Sequence, residues 1–226
     1  DNGTSWTSRT SGTSNSLREV TYGNSIYVAV GASGTILTSP DGTTWTSRTS
    51  GTSNYLSGIT YSNSIFVTVG ADGIILTSSD GTSWDNKTSG TTLDLYDVIY
   101  GNNTFLVVGG DDDDLDGDNG IILTSSDGST WDNKTSGTSN QLEGIIYGSN
   151  TFVTVGESQT VLTSDNTSTW FARDSGASGT LYGINYGNSI FITFQYKTIY
   201  TSSDGITWTS PSNGTTNTLR NAIYAE

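Results

Sequence analysis

The sequence contains no cysteine and no histidine. Thiolate and imidazole are therefore missing, which removes cysteine nucleophiles, Ser-His-Asp machinery and ordinary zinc or copper sites. Positive charge is scarce too: eight Lys and Arg stand against 22 Asp and Glu, for a formal net charge of -14. Such a surface repels phosphate backbones at long range, because nucleic-acid binding rests on clustered cations, so neither nucleic acid nor an anionic membrane is an expected partner. No apolar run is long enough to cross a bilayer, and the first residue is Asp1 rather than an initiating Met, which reads as a mature soluble product or an excised segment. Any chemistry falls to carboxylates, hydroxyls, amides and aromatic rings.

What the sequence does have is a period. Its six Trp residues, Trp6, Trp45, Trp84, Trp131, Trp170 and Trp208, are spaced 39, 39, 47, 39 and 38 apart. The one long interval holds the acidic stretch Asp111 to Asp118 and reads as a loop insertion in an otherwise constant repeat. Each repeat carries four strand signals. The first is Leu-x-x-(Val/Ile/Ala)-x-Tyr, as in Leu17, Val20 and Tyr22; the second is an apolar run such as Ile65 to Val69 closed by Gly70. The third is short, as in Ile74 to Ser78, and the fourth begins at the Trp. Gly-Asn, Gly-Ser and Asp-Gly pairs separate the runs at hairpin spacing. A lone four-stranded meander cannot bury both faces, so successive units pack face to face, and radial packing of such sheets makes a propeller. The expectation is an all-β domain over residues 1–226, a β-propeller of four-stranded antiparallel blades. Five blades are fully encoded, with a surplus fourth-strand signal at Trp6 and a surplus first strand at Leu219, Ala222 and Tyr224. A six-bladed ring or a longer array is the alternative. Unpaired terminal strands invite pairing with a neighbouring copy, which makes the protein itself an expected partner.

The turn before each Trp carries a resemblance. Ser39-Pro40-Asp41-Gly42-Thr43-Thr44-Trp45 and its counterparts ending in Trp84, Trp131 and Trp208 are similar to the Asp-box (BNR) repeats of sialidase-type and photosystem-assembly-factor-like propellers, one residue shorter than the family form. The copy from Thr163 to Trp170 reads as keeping the longer spacing but lacking the Gly, with Asp165 as its acid. The resemblance implies a structural turn in which Asp41, Asp80, Asp127, Asp165 and Asp204 accept turn amides while Trp45, Trp84, Trp131, Trp170 and Trp208 pack into the blades. It does not extend to sialidase catalysis. Arg9, Arg48 and Arg173 each follow a Trp by three positions, where Lys87 and Lys134 stand in other repeats, so they belong to different blades and cannot form the arginine cluster that grips a substrate carboxylate.

Four further sets of residues stand out. Asp112-x-Asp114-x-Asp116-Gly117 resembles the opening of a calcium loop, making Asp112, Asp114, Asp116 and Asp118 candidate Ca2+ ligands, although the twelfth position is Leu123 and not Glu. Tyr96, Tyr182, Gln195, Tyr196 and the Trp170-Phe171 pair put aromatic and amide groups where sister repeats are mostly polar, a composition suited to surface glycans. Off-pattern acids, Glu19, Asp94, Asp97, Glu143 and Glu157, are the only candidates for a glycosidase carboxylate pair. Sequons at Asn2, Asn86, Asn102, Asn133, Asn166 and Asn213 are about as many as chance gives in so Ser/Thr-rich a chain. The Ser, Thr, Gly and Asn content suggests an extracellular or cell-surface protein. Three functions follow in order: a non-catalytic structural or adhesive building block, a carbohydrate-binding module, and a glycoside hydrolase.

Overall fold

A computed structural model describes residues 4–111, 120–212 and 216–219. The chain is an all-β propeller. Blade 1 comprises β1 (Leu17–Gly23), β2 (Ile26–Gly31), β3 (Thr35–Ser39) and β4 (Thr46–Arg48); blade 2 comprises β5 (Leu56–Ser62), β6 (Ile65–Gly70), β7 (Ile75–Ser78) and β8 (Asp85–Lys87). Blade 3 runs through β9 (Leu95–Gly101), β10 (Thr104–Gly109), β11 (Ile121–Ser125) and β12 (Asp132–Thr135). Blade 4 has β13 (Leu142–Gly148), β14 (Thr151–Gly156), β15 (Val161–Ser164) and β16 (Phe171–Ala172), and blade 5 has β17 (Ile184–Gly187), β18 (Ile190–Gln195) and β19 (Thr198–Ser202). Every blade is an up-and-down antiparallel meander in sequence order. No helix among the described residues is long and apolar enough to cross a membrane.

Blade 5 departs from the expected four strands. Among the described residues its third strand meets the next segment only at the Thr201–Thr209 bridge, with N–H···O bonds of 2.8 and 2.9 Å in the two directions. In blade 4 the residue three after the Trp, Arg173, donates its N–H to the Val161 carbonyl at 2.8 Å. The corresponding residue of blade 5 is Pro211, which has no N–H to give, so the ladder stops there.

The core lies between blades. Four apolar clusters each draw on two adjacent blades, as where Val28, Val30 and Ile36 of blade 1 meet Leu56, Ile59 and Phe66 of blade 2. Among the described residues no such cluster joins blade 5 to blade 1, so the five blades form an open arc.

The turns before the Trp residues hold one pattern. In blade 2, Ser78 Oγ donates to Asp80 Oδ1 at 3.0 Å, and the same carboxylate oxygen accepts the Thr82 and Ser83 amides at 2.7 and 2.9 Å. Those amides, Ser83 first, hold Asp80 well below the usual carboxylate range; Asp41, Asp127 and Asp204 are lowered in the same way, chiefly by the amides of Thr44, Ser129 and Thr207. The indole N–H of Trp84, Trp131 and Trp208 donates to the turn glycine's carbonyl at 3.1–3.2 Å. The blade 4 turn corrects the sequence expectation. Its acceptor is Asn166, not Asp165: Asn166 Oδ1 takes the Ser168 and Thr169 amides, both at 3.0 Å. The copy therefore has the same length as the others, with Thr167 in the glycine position at a φ of 64°.

Candidate functional site

The first strands of successive blades contact one another, β1 with β5, β5 with β9, β9 with β13 and β13 with β17, and so surround the propeller axis. One or both of the two positions after the Leu on each line a shared depression of about 330 Å³, formed by Arg18, Glu19, Ser57, Tyr96, Asp97, Glu143, Gly144, Tyr182, Gly183 and Ile184. These two positions read Arg18-Glu19, Ser57-Gly58, Tyr96-Asp97, Glu143-Gly144 and Tyr182-Gly183 across the five blades, between a Leu and a Val/Ile-x-Tyr that every blade keeps. Larger depressions exist elsewhere: two are open furrows between Ser-Gly-Thr loops whose polar groups bond one another, and a third, of about 430 Å³, lies beside Leu93, Ile121 and Lys134.

The glycines in the second slot set how closely the inner strands approach. A Cβ on Gly58 would lie 3.0 Å from the Tyr96 carbonyl oxygen and 3.1 Å from Asp97 Cα. Acids occupy that slot in blades 1 and 3 and reach across to the following blade. Glu19 Oε2 accepts the Ile59 amide at 2.7 Å, and Asp97 Oδ2 accepts the Ile145 amide at 2.9 Å while its Oδ1 takes the Val98 amide at 2.8 Å. Both carboxyls sit in one narrow channel. Burial, and then repulsion from Asp97, pushes Glu19 up to about 8 against the opposing pull of the Ile59 amide. Burial pushes Asp97 up to about 6, with the Ile145 and Val98 amides working against it. At neutral pH the mouth is thus less negative than its residue count implies.

Around this pair stand the aromatic residues that the sequence singled out. Gln141 Nε2 donates to Tyr96 Oη, and burial together with Asp94, Glu143 and Asp111 raises the Tyr96 phenol. Tyr182 meets Tyr196 edge to face with ring centroids 5.6 Å apart. Arg18 lies over the Tyr55 ring, 5.0 Å from its centroid. Tyr96, Tyr182 and Tyr196 are thereby tied to the inner strands or their turns. Gln195 has another role: buried, its Oε1 accepts the Tyr200 hydroxyl at 3.0 Å and its amide group bonds Ser178, fixing the lead-in to blade 5.

Other candidates lie elsewhere. Asp94 Oδ1 accepts the Asp72 amide at 2.9 Å, and Glu157 sits on the turn after β14, bonded through its backbone to Gln141 and Thr160. Trp170 packs into the core between blades 3 and 4, and Phe171 is exposed beside Arg173. Asn86 and Asn133 are exposed on outer strands, Asn102 occupies a hairpin turn, and Asn166 is the turn acceptor described above. Asp112, Asp114, Asp116 and Asp118, with Asn2 and Asn213, lie outside the described residues, as do Ala222 and Tyr224. The amide-binding roles of Glu19 and Asp97 were not foreseen. Their signal was an acid in blades 1 and 3 at a repeat slot that is glycine in the other three blades.

No family model and no curated protein matches the sequence. Solved structures do match in fold. The chain is similar to a structure described as YCF48 bound to D1 peptide, at 16% identity and a TM-score of 0.66 over 87% of this chain and 67% of that one. It is similar to the WD40 β-propeller domain of Doa1, at 14% identity and a TM-score of 0.70 over 92% and 71%. The computationally designed Ika8 protein matches at 12% identity and 0.62 over 94% and 79%. All are likenesses of fold, and they place the chain among β-propellers.

Proposed function

We propose that the protein is a non-catalytic, carbohydrate-binding propeller that works outside the cell or on its surface, with its ligand at the mouth of the central channel. One observation carries this reading: the residues that break the repeat, Arg18, Glu19, Tyr96, Asp97, Glu143 and Tyr182, converge on one depression. Its volume suits one sugar residue. Carboxylates there accept from hydroxyls, Arg18 donates, and tyrosine rings offer apolar faces to a pyranose. The raised pKa values of the carboxyl pair, which leave it less charged, favour a neutral, hydroxyl-rich ligand over a strong cation. The turns, with Ser and Asp or Asn bonding as described, support the Asp-box resemblance as one of scaffold.

A glycan array screened with the wild type, Tyr96→Ala and Tyr182→Ala tests the proposal. Binding by the wild type that both substitutions abolish is expected; no bound glycan, or binding unchanged in both variants, overturns it. A peptide is the rival ligand, since one propeller of this fold is described with a peptide bound. The hydrolase alternative has one observation in its favour, that Glu19 and Asp97 share a channel, but each already accepts a backbone amide. Turnover of chromogenic glycosides by the wild type would favour that reading.

A further inference from the structure

Every interface between blades in this molecule uses the same two surfaces. One blade offers a Tyr and an Ile or Val from its first strand, a Phe from its second and one residue of its turn, which is glycine in blades 2, 3 and 5 and Thr167 in blade 4. The preceding blade offers a small residue followed by Ile-x-Val or its equivalent. Tyr61 of blade 2 lies over Gly23 of blade 1 so closely that a Cβ there would be 2.0 Å from the ring, and Tyr147 and Tyr186 lie over Gly101 and Gly148 in the same way. Ile26 and Val28 of blade 1 reach the turn glycine Gly81 of blade 2, as Ile65 and Val67 reach Gly128 of blade 3. Covered like this, Ile59, Val98, Ile145 and Ile184 are at most 6% exposed and Phe66, Phe105, Phe152 and Phe191 fully buried.

Blade 1 offers the same surface, and no described residue covers it. Val20, in the position of Ile59, is 56% exposed; Tyr22, in that of Tyr61, is 57% exposed; and Tyr27, in that of Phe66, is 37% exposed. Leu17 at the strand's start is exposed as well. Tyr22 and Tyr27 pack on each other at 4.7 Å, holding the rings as a ready-made face. Contiguous apolar surface of this kind marks an interaction site. The fold comparison points the same way, since 92% of this chain accounts for only 71% of the WD40 propeller, leaving more than a quarter of that ring unmatched.

We infer that the open face of blade 1 is a docking surface for one further four-stranded blade of this same repeat, carried by a partner polypeptide segment and presenting a glycine at the end of its first strand and Ile-x-Val at the start of its second. The inference is independent of the ligand proposed for the channel. The four internal interfaces define the fit: the incoming glycine receives Tyr22, the incoming Ile and Val meet Gly42 and Tyr27, and Val20 becomes core.

The test supplies such a blade. A variant of the full chain carries a copy of residues 56–94, with Ser62→Gly in the copy so that it presents the required glycine, between Ser16 and Leu17, and side-chain oxidation by hydroxyl radicals reads each residue in it and in the wild type. Oxidation of Val20, Tyr22 and Tyr27 is expected to fall several-fold, to the level of Ile59 and Tyr61. A second variant whose inserted copy also carries Ile65→Lys and Val67→Lys restores wild-type oxidation at those three residues. The inference is overturned if the three remain fully oxidised beside an insert that circular dichroism reports as folded strand, or if the charged insert protects them equally. It is also overturned if wild-type Tyr22 is protected in proportion to protein concentration, because a second copy of this chain would then be the occupant.

Discussion

Gly81 and Gly51 have nearly the same backbone conformation, at φ values of 72° and 78°, but very different surroundings. A Cβ on Gly51 meets nothing within 4 Å, whereas one on Gly81 lies 2.6 Å from Ile26 Cδ1 and 3.2 Å from Val28 Cγ2 of the preceding blade. Gly51→Ala thus isolates the backbone effect. An L-residue in the left-handed region costs about 1–2 kcal/mol, less about 0.4–1 kcal/mol regained by restricting the unfolded chain, for a net loss of about 1 kcal/mol. Gly81→Ala adds overpacking at the blade interface, which runs to about 1–3 kcal/mol. Ile26 Cδ1 is a terminal methyl that can swing aside, so the lower part of that range applies and the extra loss is about 1–2 kcal/mol. In a chain of this size each kcal/mol moves the midpoint by about 2–4 °C. Thermal unfolding followed by circular dichroism should therefore place Gly81→Ala several degrees below Gly51→Ala. Adding Ile26→Val, which removes the clashing methyl, should make the combined loss smaller than the sum of the two. Equal midpoints for the two alanine variants, or strict additivity with Ile26→Val, would refute the account of how blades abut.

Thr167 is a β-branched residue at a φ of 64°, where its counterparts are glycines. Thr167→Gly should stabilise the protein by about 1 kcal/mol, read as a rise of a few degrees in the unfolding midpoint, and a fall would contradict the strain argument. The channel carboxyls predict a pH dependence. Because the folded state raises Glu19 and Asp97 above their unfolded values near 4, it holds their protons more tightly, so this stabilisation is complete below about pH 4 and is lost as pH rises through about 6 and then 8. The turn aspartates work in the opposite sense, their contribution falling away only as pH drops below about 4. Unfolding midpoints should decline between pH 4.5 and 8, and Glu19→Gln, which keeps an acceptor for the Ile59 amide, should flatten the decline; an unchanged slope would exclude Glu19 as its source.

The Trp period and the hairpin pairs made the blades legible because each blade repeats one local code, in which turn chemistry and strand alternation agree. Blade 5 lost its fourth strand to Pro211, a single missing donor that the Trp208 signal outweighed in the sequence. The blade 4 turn was misread because Asp165 drew attention as an acid, while a neutral amide, Asn166, does the same work by offering an oxygen to the same two amides. Tyr96 and Tyr182 were visible as departures from the repeat. Their meeting with Glu19 and Asp97 was not, since convergence depends on which strand of each blade lies innermost. The open face of blade 1 was anticipated only as surplus strands; the structure recasts it as side-chain surface, with Tyr22 and Val20 uncovered where Tyr61 and Ile59 are packed.

Amide hydrogen exchange on the full chain, with and without the glycan that binds most tightly on the array, tests the channel site most directly. The Ile59 and Ile145 amides bond the channel carboxylates, and the segments around Tyr96 and Tyr182 line the mouth. A ligand seated there should slow exchange at Ile59, Ile145 and the inner strands β9, β13 and β17, leaving the outer strands β4, β8 and β12 unchanged. Slowing confined to those outer strands, or to the turns before the Trp residues, would contradict the account.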